Sequence, residues 1–225
     1  PLSSVVRTVA QGGTVERISG AVGDGVRLGG KGAALFSDWP GIGGSHPRTV
    51  AFWVNISTEQ RPQYDTGCVA WGVRSPGRER SNTKWNVQLA RRRSGDRSES
   101  VVNCTFGGLW KEGSTVINDG QWHHICVTYS GDVDESGRPD LQFYVDGFLD
   151  DGEWVFNEPL DLDEDGNSYV HTETSHTASV PMIIGAPLTA AKGSKNSFTG
   201  SIDEVYVVFG HLKRTEVRKL MGRGR

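Results

Sequence analysis

The sequence has no long apolar segment and few cysteines. No run of about 18 apolar residues occurs, so no membrane-spanning helix is expected. The three cysteines, Cys68, Cys104 and Cys126, lack C-x-x-C spacing, which argues against a zinc site. All three lie in apolar, strand-like runs, where a free thiol behaves as a small hydrophobic side chain. Whether two of them form a disulfide is left open by the sequence.

The chain also lacks a strong net charge. With 24 Lys and Arg against 27 Asp and Glu, the formal net charge is −3. Such a molecule has no strong field toward nucleic acid or an anionic membrane, so we expect neither a nucleic-acid partner nor membrane insertion by this domain. Charge is uneven locally, with a basic stretch from Arg74 to Arg97 and an acidic stretch from Asp132 to Asp165. Such blocks are usually exposed loops or faces.

Short runs of β-branched and aromatic residues recur along the whole chain, with Gly, Pro, Asp, Asn and Ser between them. Such runs predict strands separated by turns. The predicted strands are Thr14–Ile18, Gly25–Leu28, Ala33–Phe36, Thr49–Ile56, Cys68–Val73, Trp85–Ala90, Val101–Phe106, Trp122–Tyr129, Leu141–Val145, Pro181–Ile184 and Ser201–Phe209. Asp146-Gly147 predicts a two-residue hairpin turn, because this pair readily supplies two positive φ angles. Lys213–Met221 is the helix candidate.

These elements predict an all-β fold, a two-sheet antiparallel sandwich with a short C-terminal helix. The runs Ala51–Val54 and Ile125–Val127 are apolar on both faces, which predicts central strands that loops or a curved partner sheet cover. A chain of 225 residues can form one large β domain, so we expect a single domain over 1–225 with 1–13 as an N-terminal extension. Because the chain starts at Pro1 without Met, we expect it to be a mature product or a domain cut from a longer protein.

Five stretches resemble, in their order along the chain, laminin-G-like and concanavalin-A-like jelly-roll domains of secreted bacterial proteins. The stretches are Ala21–Leu28, Thr49–Val54, Asn118–Tyr129 with its Asn-Asp-Gly-Gln-Trp-His-His start, Phe143–Gly147 and Phe198–Val207. The resemblance implies a curved jelly roll, often with a structural calcium ion, that binds carbohydrate or protein. It does not imply one ligand, because one fold hosts many functions.

The resemblance also implies where a calcium ion (Ca2+) would lie. In the family the ion often sits between an early glycine-rich turn and an acid of the last strand, which here gives the Gly23 carbonyl, Asp24 and Asp203. Calcium prefers such oxygen ligands. The alternative is that Asp24 is a turn residue and Asp203 a hydrogen-bonded core acid. Two further acidic loops, Asp132–Gly137 and Asp161–Gly166, carry part of a calcium-loop pattern without its final Glu.

The usual catalytic patterns are missing. Laminarinase-type glucanases share the broad fold and carry an E-x-D-x-x-E pattern that brings two carboxylates together, and this sequence has none. Asp203 and Glu204 are adjacent, so in a strand they point to opposite faces. His123 and His124 split in the same way, which favours a structural role over a shared metal ion. We therefore predict that the protein is not an enzyme.

Tryptophan rings beside polar groups are the remaining candidates for a binding site, since sugars stack on aromatic faces. The candidates are Trp39, Trp71, Trp85, Trp110 and Trp154. Trp85 and Trp110 flank the arginine-rich stretch, and we predict that Trp85, Arg91, Arg93 and Trp110 share one ligand-binding rim. Such a rim would suit an anionic polysaccharide.

The sequence thus predicts a noncatalytic carbohydrate-binding module, stabilised by calcium, in a secreted, periplasmic or cell-surface protein. Two alternatives stay open. A protein-interaction or sensor domain of an extracytoplasmic or membrane-anchored protein would show an exposed apolar patch without a sugar-sized groove. A glycoside hydrolase with an atypical site would show two carboxylates in one cleft.

Overall fold

Fifteen strands form two sheets in a computed structural model, which describes residues 7–10, 13–29, 32–58, 66–73, 83–94, 97–106, 109–155, 171–175, 177–188 and 196–222. Sheet A consists, in spatial order, of β1 (Arg7–Ala10), β4 (Ala33–Phe36), β14 (Val180–Ile184), β6 (Thr66–Gly72), β7 (Lys84–Ser94), β8 (Arg97–Phe106), β9 (Leu109–Glu112) and β13 (Glu153–Trp154). Sheet B consists of β12 (Phe148–Asp150), β11 (Pro139–Val145), β10 (Trp122–Val133), β5 (Arg48–Asn55), β15 (Thr199–Phe209), β3 (Asp24–Gly29) and β2 (Val15–Ser19).

This architecture confirms the predicted all-β sandwich with its short C-terminal helix, α1 (Arg214–Gly222). Every pairing between these strands is antiparallel. The β11–β12 hairpin turns through Asp146 and Gly147, whose φ angles of 53° and 75° are the two positive values that Asp-Gly predicts. Residues 7–10 differ from the expected extension, because they pair with β4 and so belong to the sandwich.

The core between the sheets is built around a chain of aromatic rings. Trp71 and Trp85 stack with their centroids 5.9 Å apart, and Phe106 meets Trp85 edge-on at 5.2 Å. Tyr129 of sheet B continues the chain at 4.9 Å from Phe106, so the rings link the two sheets. The cysteines Cys68, Cys104 and Cys126 are buried free thiols, which answers the disulfide question. Burial raises the pKa of each thiol well above its ordinary value.

Helix α1 covers the outer face of the middle strands of sheet B. Its buried residues Val217 and Leu220 pack on Ala51, Cys126 and Tyr144 of β5, β10 and β11. This contact explains why β5 and β10 are apolar on both faces. Sheet A covers the inner face of these strands, as predicted, and a helix rather than loops covers their outer face.

Arg48 is a fully buried cation at the start of β5. Its guanidinium donates hydrogen bonds from Nη1 to the Ile42 carbonyl at 2.7 Å and to Thr172 Oγ1 at 2.9 Å. The remaining donors reach the carbonyl oxygens of His46 (2.9 Å), Gly43 (3.2 Å) and Gly44 (2.7 Å). Burial lowers the pKa of Arg48 to about 10, so the group is still charged at neutral pH.

The aromatic core surrounds the same cation. The guanidinium carbon lies 5.3 Å from the ring centroids of Trp85 and Phe106 and 5.9 Å from that of Tyr129. No carboxylate within the described residues forms an ion pair with Arg48, so carbonyl dipoles and ring faces stabilise its charge.

Arg48 thereby fixes the segment 41–46 over one end of the core. Gly41 has a φ of 88° and lies directly on the Trp71 ring, where a Cβ atom would overlap it. Trp71 Nε1 donates to the Ile42 carbonyl at 3.1 Å, and Gly44 exchanges backbone hydrogen bonds of 2.8 and 3.0 Å with Thr172. Irregular backbone that is buried or half-buried, as at residues 42–44, needs such partners for its carbonyl groups.

We predict that Arg48→Met lowers the free energy of unfolding by about 3 kcal/mol or more, because several buried carbonyl oxygens lose their donors. Urea denaturation would measure the loss. Arg27→Met is the matched control, since Arg27 is exposed and lies 4.0 Å from Glu16; its effect should stay within about 0.5 kcal/mol. A similar, small loss for both variants would contradict the structural role of Arg48.

Candidate functional site

A group of polar side chains and one tryptophan lies on the outer face of sheet A, across β7, β8 and β9. We call it the polar face and define it as Asn86, Gln88, Asn103, Thr105, Trp110 and Glu112. Strand register aligns Asn86, Thr105 and Trp110 in one row, and Gln88, Asn103 and Glu112 in the next. Alternate residues of these strands, such as Val87 and Cys104, point into the core.

The amides of the polar face hold one another in place. Asn86 Nδ2 donates to Gln88 Oε1 at 2.7 Å, and Gln88 Nε2 donates to Asn103 Oδ1 at 3.0 Å. Asn86 and Asn103 are buried, whereas Gln88 is half-buried. Within the part of the chain that the structure describes, the buried Asn86 Oδ1 has no hydrogen-bond partner. Gln88 is thus fixed in orientation by two buried neighbours.

Trp110 is half-buried at the border of this face. The Val155 amide donates to the Trp110 carbonyl at 3.2 Å, which brings the exposed Val155 beside it. The residue between Trp110 and Glu112 points the other way, because Lys111 Nζ donates to the Leu141 carbonyl of sheet B at 2.8 Å. Trp110 and Glu112 therefore face outward together.

Glu112 brings charge to the polar face. Its carboxylate lies 3.8 Å from Nε of Arg92. Its register partner on the edge strand β13 is Glu153, so two glutamates occupy directly opposite positions on one face. Opposite like charges cost stability unless a cation offsets them, and Arg92 supplies one.

The described side chains of the predicted rim of Trp85, Arg91, Arg93 and Trp110 do not lie on one surface. Trp85 is fully buried in the aromatic core, so its selection as a ligand-binding residue is wrong. Arg91 follows the inward-facing Leu89 on the same face of β7, and its Nε donates to Ser98 Oγ at 3.2 Å. Trp110 lies on the opposite face of the sheet from Arg91. Arg93 pairs in register with Ser98, and its side chain lies outside the described residues.

The other candidate tryptophans also serve the core. Trp71 is buried, Trp39 tilts against it at 5.8 Å, and both Trp39 and Trp154 pack against the core cluster. Trp110 is therefore the predicted tryptophan that the structure places on a polar outer surface.

Gly23, Asp24 and Asp203 meet where the β2–β3 turn crosses the last strand. Asp203 is buried, and its two carboxylate oxygens accept hydrogen bonds from the amides of Val22 (2.9 Å) and Glu204 (2.8 Å). The Gly23 carbonyl accepts from the Gly20 amide at 2.8 Å. The exposed Asp24 carboxylate forms an ion pair with Arg17. These three residues therefore do not form an open set of oxygens for calcium in this arrangement.

The other described residues offer no metal site either. No three His, Cys, Asp or Glu side chains converge there in a way that could hold a metal ion. In the acidic loop 132–137, Asp134 Oδ1 accepts from the amides of Ser136 and Arg138, each at 2.9 Å, as a turn residue does. The second loop, Asp161–Gly166, lies outside the described residues.

Comparison with known proteins places the chain by its sequence as well as its fold. Residues 28–218 match the family described as the concanavalin A-like lectin/glucanases superfamily. The chain belongs to this superfamily. The name covers lectins and glucanases, so membership leaves open whether this member catalyses a reaction. No curated protein matches the sequence.

Solved structures support the superfamily fold. Domain 4 of AbnA, a GH43 extracellular arabinanase from Geobacillus stearothermophilus in complex with arabinotriose, is 18% identical with a TM-score of 0.58, over 96% of this chain and 87% of that one. The binding domain of Paraclostridial Mosquitocidal Protein 1 is 12% identical with a TM-score of 0.56, over 96% and 47%. The T. cruzi calreticulin globular domain is 19% identical with a TM-score of 0.53, over 97% and 88%. These identities establish a shared fold and nothing about a shared ligand.

The superfamily motif at Asn118–His124 has a structural role. His123 lies between two carboxylates, with Nδ1 2.8 Å from Asp146 Oδ2 and Nε2 3.0 Å from Asp119 Oδ1. His124 is buried with its ring edge-on to Trp53 at 5.2 Å, and within the described chain its Nδ1 has no partner. The two histidines thus sit on opposite faces of β10, as their adjacency predicts.

The two neighbours have opposite pKa shifts. Burial lowers the pKa of His124 to about 4, against a weaker opposing effect of the Asp146 charge. Burial also lowers the pKa of His123, but hydrogen bonds and charges from Asp146 and Asp119 more than offset it and raise the pKa above its ordinary 6.5. His123 therefore stabilises the fold most when protonated, and His124 when neutral.

We predict that acid destabilises the protein through His124. Below pH 6.5 the unfolded chain takes up a proton on this residue and the native state does not, so about 2 kcal/mol should be lost by about pH 5. His124→Leu should remove this loss, which urea denaturation above pH 6.5 and at about pH 5 would measure. His123→Gln should enlarge it, because the His123 contribution is full below pH 6.5 and is lost as pH rises through its raised pKa. An unchanged acid loss in His124→Leu would contradict the assignment.

Calcium binding at the β2–β3 turn stays a prediction of the sequence, and a melting experiment tests it. Because Arg17 holds Asp24 and backbone amides hold Asp203, we expect the Tm in millimolar CaCl2 to match that in EDTA. A ligand that binds only the folded state must raise Tm. A calcium-dependent rise that Asp24→Asn abolishes would show that the turn rearranges to bind the ion.

Proposed function

We propose that the protein is a noncatalytic carbohydrate-binding module whose ligand lies on the polar face of sheet A. The observation that supports it is the placement of Gln88, Trp110 and Glu112 in two neighbouring rows of one face, which combines an aromatic surface with an amide and a carboxylate on one rigid strand surface. Sugars are bound by this combination of groups, because their C–H faces stack on rings while their hydroxyls exchange hydrogen bonds with fixed polar groups.

The amide chain supports this role because it fixes a donor and acceptor before the ligand arrives. Asn86 and Asn103 hold the Gln88 amide from both sides. A ligand then binds without the entropy cost of ordering that side chain. The half-buried Trp110 offers an aromatic ring in the row next to that of Gln88.

The strand scaffold adds precision to the site. All members of the polar face lie on paired strands, and sites on such elements keep their geometry better than sites on loops. The proposal thus locates ligand binding on a sheet surface that packs on the core with its other face. A place outside the cytoplasm, as the sequence predicts, suits a module that binds polysaccharide.

We expect Trp110→Ala to weaken binding to its polysaccharide at least about tenfold, equal to about 1.4 kcal/mol. Affinity electrophoresis on neutral and acidic polysaccharides would identify the ligand and measure the loss. Gln88→Leu should weaken binding as well, since it removes the fixed amide without changing the core.

The matched control is Phe209→Ala. Phe209 is an exposed aromatic residue on β15 of sheet B, away from the polar face, and its removal should leave binding unchanged. Retention of the wild-type chain by no neutral or acidic polysaccharide would overturn the proposal and favour a protein partner.

One observation supports a second candidate, glycoside hydrolysis. Glu112 and Glu153 are register partners on one face, and retaining glycosidases use two carboxyl groups about 5 Å apart. A hydrolase would release reducing sugar from the bound polysaccharide, and Glu153→Gln, which changes the carboxyl group outside the polar face, would abolish that release while binding persists. Binding without release by the wild-type chain would overturn this candidate and leave the binding module.

A further inference from the structure

A second surface combines an exposed aromatic ring with two arginines at the β11–β12 hairpin. We call it the arginine–phenylalanine surface and define it as Phe148, Arg214 and Arg218. Phe148 follows the Asp146-Gly147 turn and is 62% exposed. The guanidinium carbons of Arg214 and Arg218, one helical turn apart on α1, lie 5.6 and 5.1 Å from the centre of its ring.

Both guanidiniums contact the hairpin backbone through their Nε atoms. Nε of Arg218 donates to the Gly147 carbonyl at 3.0 Å, and Nε of Arg214 is directed at the same oxygen at 3.4 Å. Each guanidinium has five N–H donors, so its terminal nitrogens extend beyond this carbonyl. Gly147 permits the contact, because its φ is 75° and a Cβ atom there would press on the stem of Arg218.

No carboxylate of the described residues neutralises these charges. Within the described residues neither Arg214 nor Arg218 forms an ion pair, and both are exposed. The one acid of the helix, Glu216, instead accepts a hydrogen bond from the Lys213 amide at 2.8 Å. Two like charges four residues apart on a helix repel each other, so an anion between them would relieve an existing cost.

We infer that this surface binds an acidic polysaccharide through its sulfate or carboxylate groups. Arginine forks match the geometry of both anions, and the exposed face of Phe148 suits the C–H face of a sugar ring. An acidic polysaccharide presents anionic groups and the C–H faces of sugar rings close together along one chain. This surface offers a matching pair of arginines beside one aromatic ring. The inference rests on the proposed function for the ligand class and adds a second contact that selects acidic chains.

The alternative anionic partners fit less well. Stable recognition of anionic lipid by charge usually takes a cluster of about four to eight basic residues, and this surface has two arginines. Among the described residues, no helix is long and apolar enough to cross a bilayer. Acidic protein segments offer the anion without a sugar ring for Phe148.

The test measures affinity for dextran sulfate, for unsulfated dextran, for polyglutamate and for phosphatidylserine vesicles. We expect Arg214→Gln with Arg218→Gln to weaken dextran sulfate binding at least about tenfold, and Phe148→Ala to weaken it more than it weakens polyglutamate binding. The control is Arg17→Gln with Arg27→Gln, which removes the same charge from exposed positions on β2 and β3. Melting curves confirm that each variant is folded.

A second pair, Arg214→Lys with Arg218→Lys, keeps the charge and removes the planar fork. Its expected affinity lies between those of the wild type and the Gln pair.

Unchanged dextran sulfate binding in the Gln pair would overturn the inference. So would equal loss in the charge-matched control, or polyglutamate or vesicle binding as tight as that of dextran sulfate. If Trp110→Ala abolishes binding while the Gln pair does not, the proposed function stands and this inference fails. If the wild type binds neither dextran nor dextran sulfate, and no other polysaccharide retains it, both fail.

Discussion

A single buried cation sets the constraints on one end of this sandwich. Arg48 has no carboxylate partner among the described residues, so its charge is stable only while the carbonyls of the segment 42–46 and the hydroxyl of Thr172 point at it. Those carbonyls in turn need its donors, because the segment is irregular and its residues 42–44 are buried or half-buried. The aromatic rings of Trp85, Phe106 and Tyr129 complete the surroundings. The core around Arg48 and the segment that covers it therefore depend on each other for stability.

The two sheets use their outer faces in different ways. Helix α1 packs on sheet B, so Ala51 and Cys126 on its central strands are as buried as the core. Sheet A instead carries amides, a hydroxyl, a carboxylate and Trp110 on the outer face of β7, β8 and β9. Buried polar groups cost stability unless they are hydrogen-bonded. The chain of amides through Gln88 pairs Asn86 Nδ2 and Asn103 Oδ1, whereas Asn86 Oδ1 has no partner among the described residues.

The fold could be predicted from the sequence because its signals are local. Alternation, turn pairs such as Asp146-Gly147 and the superfamily motifs each specify nearby backbone. Apart from Trp110, the candidate site could not be predicted. It depends on which face of its strand each side chain points to and on the register between neighbouring strands. Trp85 and Trp110 look alike in sequence, yet one points into the core and the other outward. The facing of Glu112 and Glu153 needs the pairing of β9 with the short strand β13, whose two residues give no pattern.

The position of β15 has a consequence for the order in which the protein forms. This strand, near the end of the described chain, lies between β3 and β5, which come from its first quarter. Sheet B cannot close until residue 209 has emerged from the ribosome, so β3 and β5 wait unpaired on that side while the rest of the chain is made. Nascent chains of this protein therefore present long edge strands to their surroundings. Chaperone protection during synthesis matters more for such a topology than for one built from sequential hairpins.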